Sequence, residues 1–366
     1  MGAMPNFEWA AAKALSFVLY YSGGLWAFER IDRWQRTNPR CTVVNYHRIV
    51  SEQVGYRDIA VDPVTFRSHL EYMVRRGYRF LSLEEHHAYL AGRLALGCDS
   101  ILLTFDDGYV DNYTAAFPEL RQLGIPAVVF LCTGPIETRT LLWWDRVVRV
   151  VQSLRRDGVR SYEANEDVSR AVSALLSGAL KGSDVTACTL LGRLIDMLKD
   201  LPAARREPII ARLESDALVS EHGDPMMTWE MVREMSDAGI AFGAHSVTHP
   251  VFSQLTPEAA RFEILESKRC IEERLDEPVT AFAYPYGKRG YFDTTSVEAL
   301  RACGLAWAYS TENGVDTPQS NDPYVLRRNG MRDVPEYVLA VRLAGVFESP
   351  VLAPLRAWIE KRRTAE

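Results

Sequence analysis

The chain has 366 residues, 47% hydrophobic and 25% charged, which is globular composition with room for one large domain or two smaller ones. A formal net charge of -6 gives no bias toward nucleic acid or an anionic membrane. The six cysteines are scattered and form no C-x-x-C, which argues against a zinc ribbon or a dithiol pair and fits a reducing compartment.

Taken in chain order, residues 10–28 (AAAKALSFVLYYSGGLWAF) are markedly apolar. Glu8 stands where a signal peptide wants basic residues, and the run leads into ERIDRWQR rather than a small-residue cleavage site. Its uncharged part, 14–28, is shorter than the roughly 20 residues of a membrane span and holds Gly23-Gly24. The expectation is a helical segment over 1–40 that packs on the domain or makes peripheral contact with a membrane. The absence of a secretory pattern points to the cytoplasm or the inner face of the membrane.

CTVVNYHRIV (41–50) reads as a buried strand ending at His47. Residues 64–92 read as helix, a short strand near Phe80 and Leu81, then helix. SILLTF is a strand, NYTAAFPELRQLG a helix stopped by Gly124, and PAVVFLCTG a strand. TWEMVREMSDAG is a helix with Thr228 as N-cap and Gly239 as its stop. IAFGAH, VTAFAYPYG and LAWAYST read as further strands, separated by helices. EYVLAVRLAGV and 353–366 close the chain as helices. Alternating strand and helix over 41–345 predicts a parallel sheet or barrel with helices outside. Residues 135–227 break the rhythm and read as a helical insertion, and 346–366 as a C-terminal helix.

In a parallel barrel, reactive groups gather at the C-terminal ends of strands. His47, Asp106-Asp107, His245 with His249, and YPYG each fall at such an end. The other histidines, His69, His86, His87 and His222, read as ordinary surface or half-buried ones. One helical turn between His245 and His249 would put both imidazoles on one side. With a carboxylate from a neighbouring strand they make a two-His, one-carboxylate set suited to a catalytic divalent metal. Adjacent strand residues face opposite ways, so one aspartate can serve as ligand and the other as base.

TFDDG (104–108), HSVTH (245–249) and FAYPYG (282–287) resemble the successive motifs of NodB-like polysaccharide deacetylases, carbohydrate esterase family four. The resemblance implies a distorted (β/α) barrel and a divalent metal, Zn2+ or else Co2+, Ni2+ or Mn2+, on Asp107, His245 and His249. It implies Asp106 as general base and the Tyr286 amide as an oxyanion donor. The family often carries an arginine in the third motif where this chain has Ala283, and a histidine in a late motif where this chain has VLRRN. A subgroup resembling poly-N-acetylglucosamine deacetylases places its acid histidine early, so NYHRI assigns that role to His47. Arg328 or Arg327 is expected to replace the missing bracing arginine.

The expected reaction is removal of N-acetyl groups from N-acetylhexosamine units of a polysaccharide or lipid-linked glycan. Tyr109, Tyr113, Tyr284, Tyr286, Trp143 and Trp144 are candidates to stack on sugar rings, with Pro285 beside them and Leu255 capping the acetyl pocket. An O-acetyl esterase and a silent carbohydrate-binding protein are the alternatives; a sugar isomerase would want more acidic ligands.

Overall fold

The computed structural model describes residues 6–346, apart from 37, 52–54, 56–58, 164–167, 219–225 and 320–321. His222 and the helix expected over 346–366 fall almost wholly outside the described residues. Two helices open the chain, α1 (Asn6–Tyr21) and α2 (Gly24–Gln35), and turn on Gly23, whose φ of 82° suits glycine. Strands and helices then alternate. They are β1 (Cys41–Tyr46), the short pair β2 (Arg48–Ile49) and β3 (Ala60–Val61), α3 (Pro63–Arg75), β4 (Arg79–Phe80), α4 (Leu83–Leu90) and β5 (Ser100–Asp107). A π-helical turn (Asn112–Ala116) runs into α5 (Phe117–Leu123), followed by β6 (Val128–Leu131) and α6 (Thr133–Thr138).

Four helices without a described strand make the insertion: α7 (Trp143–Arg156), α8 (Arg170–Lys181), α9 (Asp184–Lys199) and α10 (Ala203–Asp216). The alternation resumes with α11 (Trp229–Asp237), β7 (Ala241–Ala244), α12 (Pro257–Leu275), β8 (Ala281–Ala283), α13 (Thr294–Ala302), β9 (Trp307–Tyr309), β10 (Asn329–Gly330) and α14 (Glu336–Leu343). The expected punctuation is in place: Thr228 caps α11 through Met231 N, and Gly124 and Gly239 take φ of 63° and 89° at helix ends.

The strands run β10-β1-β5-β6-β7-β8-β9, all paired parallel, with β4 added beside the start of β5. Leu326 bridges Tyr309 at one edge, and Asn329 pairs with Val44 at the other. The segment 326–330 therefore touches both edge strands and closes a distorted (β/α) barrel. Alternation along each strand sorts side chains into two cores. Val44, Tyr46, Ile101, Leu103 and Phe105 face the helices, while Val43, Leu102, Phe130, Ala283, Tyr309 and Leu326 fill the interior. Asp106 stands two residues beyond Thr104 and four beyond Leu102, and Arg328 two beyond Leu326. Both thus continue an inward-facing row toward the C-terminal rim.

Three histidines depart from expectation. His69, His86 and His87 are buried, because each ring nitrogen that needs a partner finds one inside. His69 contacts Tyr46 Oη at 3.0 Å and the Val334 carbonyl at 2.8 Å, and His86 and His87 share Tyr309 Oη at 2.9 and 3.1 Å.

Candidate active site

β5 ends in Asp106 and Asp107, both 1% exposed. Asp107 takes φ of 75° and Gly108 φ of 86°, so the chain leaves the strand in a left-handed turn. A side chain at Gly108 would meet Leu131 Cδ2 at 2.8 Å. Of the seven non-glycine residues with positive φ among the described residues, four are Asp107, Ser246, His249 and Tyr286. Backbone strain of this kind is concentrated at functional sites.

Asp106 is held from two elements. Arg328 donates from both terminal nitrogens, at 2.7 Å to Oδ1 and 2.8 Å to Oδ2, and Asn45 Nδ2 donates at 3.0 Å. Arg328 is itself fully buried, and its remaining donors reach the Ser310 carbonyl at 2.9 Å and Asn45 Oδ1 at 3.1 Å. Arg327, partly exposed, instead pairs with the buried Asp316 at 3.1 Å. Of the two arginines, Arg328 thus occupies the bracing position. Burial pushes the Asp106 pKa up, but the charges of Arg328, His245 and His47 outweigh it and hold the carboxyl below its ordinary value. His47 stands across from it, Nε2 3.8 Å from Asp106 Oδ2, and is partly open to solvent. The π-helical turn steadies His47: Asn112 Nδ2 donates to its carbonyl at 2.6 Å.

Asp107, His245 and His249 bring ligand atoms within 4.8 Å of one another, all buried. His245 Nε2 and His249 Nε2 lie 3.4 and 3.3 Å from Asp107 Oδ1, yet that oxygen has no hydrogen-bond partner among the described residues. A buried orphan oxygen facing two imidazole nitrogens fits a metal ion, and one carboxylate with two nitrogens suits zinc-like ions better than calcium or magnesium. His245 Nδ1–H donates to the Ala283 carbonyl at 2.7 Å, which leaves Nε2 as the free lone pair. Burial raises the Asp107 pKa, but the two imidazoles outweigh it and keep the carboxyl well below the usual range.

The two histidines do not sit on a helical turn, as their spacing suggested. Residues 245–249 form a loop in which Ser246 and His249 have φ of 71° and 57°. The loop is pinned by Glu263 of α12, whose carboxylate accepts from Val247 N, Thr248 N and Thr248 Oγ1 at 2.8, 2.9 and 2.6 Å. Tyr286 follows β8 with φ of 61°, and its N–H donates to no described residue. Its ring sits edge-on to His249, centroids 4.8 Å apart.

A cavity of about 90 Å³ opens over these residues, lined by His47, Asp106, Asp107, His245, His249 and Tyr286. A family model described as polysaccharide deacetylase matches residues 94–164 and 203–308. The chain carries a polysaccharide deacetylase domain. It is 20% identical over 297 residues to the putative polysaccharide deacetylase YxkH of Bacillus subtilis (strain 168), covering 81% of this chain and 73% of that one. A shorter match, 29% over 85 residues, links it to the poly-beta-1,6-N-acetyl-D-glucosamine N-deacetylase of Escherichia coli (strain K12), covering 23% of this chain and 13% of that one. Its fold is similar to the Streptococcus pyogenes deacetylase PplD in complex with acetate, with a TM-score of 0.56 at 18% identity over 84% of this chain and 99% of that one.

The insertion interrupts the family match and also walls the cavity. Trp143 and Trp144 come from α7, and Ile195 and Lys199 from α9. Trp144 packs edge-on against His249 at 4.6 Å, and Trp143 Nε1 donates to Tyr286 Oη at 3.1 Å. Five expected substrate contacts are corrected. Tyr109 is fully buried, its hydroxyl donating to Asp145 and accepting from Trp144, so it supports the wall rather than forming it. Tyr113 bonds Glu234 and stacks on Phe117, away from the cavity. Pro285 is buried and does not line the cavity. Leu255 closes the turn Phe252–Gln254 and packs against the core, so it caps nothing. Tyr284 reaches the cavity, but its fully buried ring stacks on Phe292 at 4.1 Å and is not free for a sugar.

Asn45, Glu263, Lys199 and Met331 were not singled out from the sequence. Asn45 had a signal, an amide within an otherwise apolar strand two residues before His47. Lys199 and Glu263 sit in amphipathic helices, where their charge reads as surface.

Proposed function

We propose that this chain is a metal-dependent N-deacetylase that hydrolyses acetamido groups on N-acetylhexosamine units of a polysaccharide or lipid-linked glycan. The observation that carries the reading is one buried carboxylate facing two imidazoles beside a second carboxylate held by a buried arginine. A divalent metal on Asp107, His245 and His249 would polarise the acetyl carbonyl and acidify water, with Zn2+ the ion this donor set suits best.

The chain's own residues supply the rest. Asp106, kept ionised and aimed by Arg328 and Asn45, accepts the proton of the attacking water as its oxygen bonds to the carbonyl carbon. The unpartnered Tyr286 N–H donates to the oxygen on which charge develops. His47 donates a proton to the nitrogen as the C–N bond breaks, because an amine departs poorly without one. Acetate and a free amine result. Trp143 and Trp144, both buried, wall the cavity and exclude water, and the half-buried Tyr286 offers its ring to a sugar. Similarity to the Escherichia coli enzyme named above supports a β-linked N-acetylglucosamine polymer as the first substrate to try.

The test is acetate release from N-acetylglucosamine oligosaccharides by wild type and Asp106→Asn, with an O-acetylated glycan alongside. The reading expects release from the amide that falls at least a hundredfold in the variant. Release from the ester alone would replace it with an O-acetyl esterase. No release from either would overturn it.

A further inference from the structure

The helical hairpin α1–α2 is built inside out. Of the thirteen large apolar side chains left exposed among the described residues, six stand on these two helices: Phe17, Val18, Tyr21, Trp26, Ile31 and Trp34. The exposed positions described on α1 are Ala11, Ala14, Phe17, Val18 and Tyr21, with no charge among them. On α2 the stripe Ala27, Ile31 and Trp34, spaced four and three apart, faces solvent, and Trp34 is 85% exposed. The inner faces are used conventionally: Leu25 and Glu29 are buried, and Tyr20 donates to Glu336 of α14.

The charge on the outer face has one sign. Arg30 and Arg33 are its exposed charges, and Arg30 lies over the Trp26 ring at 5.4 Å. With Arg76 and the largely buried Glu29 they line an open hollow beside Trp26. Glu29, paired with Arg76 and at 3.8 Å with Arg33, is the one acid lining the hollow against three arginines, so the hollow presents net positive charge. The overall charge of -6 does not describe this face.

We infer that α1–α2 is an interfacial anchor that lays its outer face on a membrane surface rich in anionic phospholipid, with phosphate headgroups meeting Arg30 and Arg33. Exposed Trp and Phe flanked by basic residues on an amphipathic helix is the arrangement that binds in the headgroup plane. No described helix is long and apolar enough to cross a membrane, so the contact is peripheral. Arg36 at the end of α2 meets Asp99 just before β5, and Arg76 follows α3 just before β4. Both mark the N-terminal ends of strands, so docking leaves the catalytic rim open. The inference does not rest on the deacetylase reading.

The experiment is co-sedimentation of the full chain with vesicles of phosphatidylcholine, with and without phosphatidylglycerol, and size measurement by light scattering. Binding is expected to the mixed vesicles and to weaken with added salt. Ile31→Ser with Trp34→Ser should lower the partition constant at least tenfold. Arg30→Gln with Arg33→Gln should lower it roughly thirtyfold on mixed vesicles and leave the weaker binding to neutral ones unchanged. Asp106→Asn should bind as wild type. Binding to neither vesicle overturns the inference, as does a dimer dispersed by the Ile31 and Trp34 substitutions, which would assign the face to a second copy. Vesicle binding gained only after removal of residues 347–366 also overturns it, by assigning the face to the chain's own C-terminal segment.

Discussion

Replacing Arg328 by methionine removes a fully buried guanidinium while keeping its volume. Two bonds to Asp106, at 2.7 and 2.8 Å, disappear, and the Ser310 carbonyl and Asn45 Oδ1 each lose a donor. Taking one partner from a buried ion pair costs about 3–5 kcal/mol, because the other charge is left uncompensated. Against a domain stability of about 5–15 kcal/mol, Arg328→Met folds but is markedly weakened. Turnover should fall about 10²–10⁴-fold, the range a positioned general base contributes. The assay is urea unfolding and acetate release for Arg328→Met, Asp106→Asn and the double variant. In the Asp106→Asn background the stability cost of Arg328→Met should shrink below about 1 kcal/mol or reverse, since the cation there has lost its anion. Arg327→Met, which removes a side-chain partner of Asp316 and touches no atom of Asp106, should leave turnover unchanged. Equal costs of Arg328→Met in both backgrounds, with turnover retained, would refute the bracing role.

Glu263→Gln should weaken metal binding about 10–100-fold by loosening the histidine loop, measured by titration against a chromophoric chelator. His47→Gln should slow amide hydrolysis about 10²–10⁴-fold but spare an aryl acetate, whose leaving group needs no acid; equal losses on both would remove His47 from the acid role. Burial pushes His86 and His87 down to about 3, while the unfolded chain titrates near about 6.5. Between those values the unfolded chain takes up protons the folded one refuses. The stability they allow is therefore full above about pH 6.5 and lost as pH falls, at about 1.4 kcal/mol per pH unit for each histidine. His87→Gln should remove one proton's share of that slope in urea melts; an unchanged slope would contradict it.

The barrel was legible because its strands are apolar runs closed by chemistry that local rules recognise. DDG after SILLTF, HSVTH after IAFGA and YPYG after VTAFA mark strand ends without any tertiary information. Arg328 could be narrowed only to a pair of neighbours, since two arginines in VLRRN differ solely in which face of the closing segment they take. His86 and His87 were misread because the hydroxyl they share belongs to Tyr309, more than 200 residues further along the chain. The tyrosines were misread for a related reason: composition shows an aromatic near a site, not whether its hydroxyl is already committed inside the core. The insertion's part in the cavity was hidden because Ile195 and Lys199 lie about 90 residues from β5 and meet it only through the packing of α9.

The most direct test of the central claim is acetate release after chelation and re-addition of Zn2+, with metal content measured in parallel for wild type and Asp107→Asn. The account predicts that chelated wild type loses turnover and regains it with one equivalent of metal, while Asp107→Asn neither binds metal nor recovers. Full turnover by metal-free protein would contradict it.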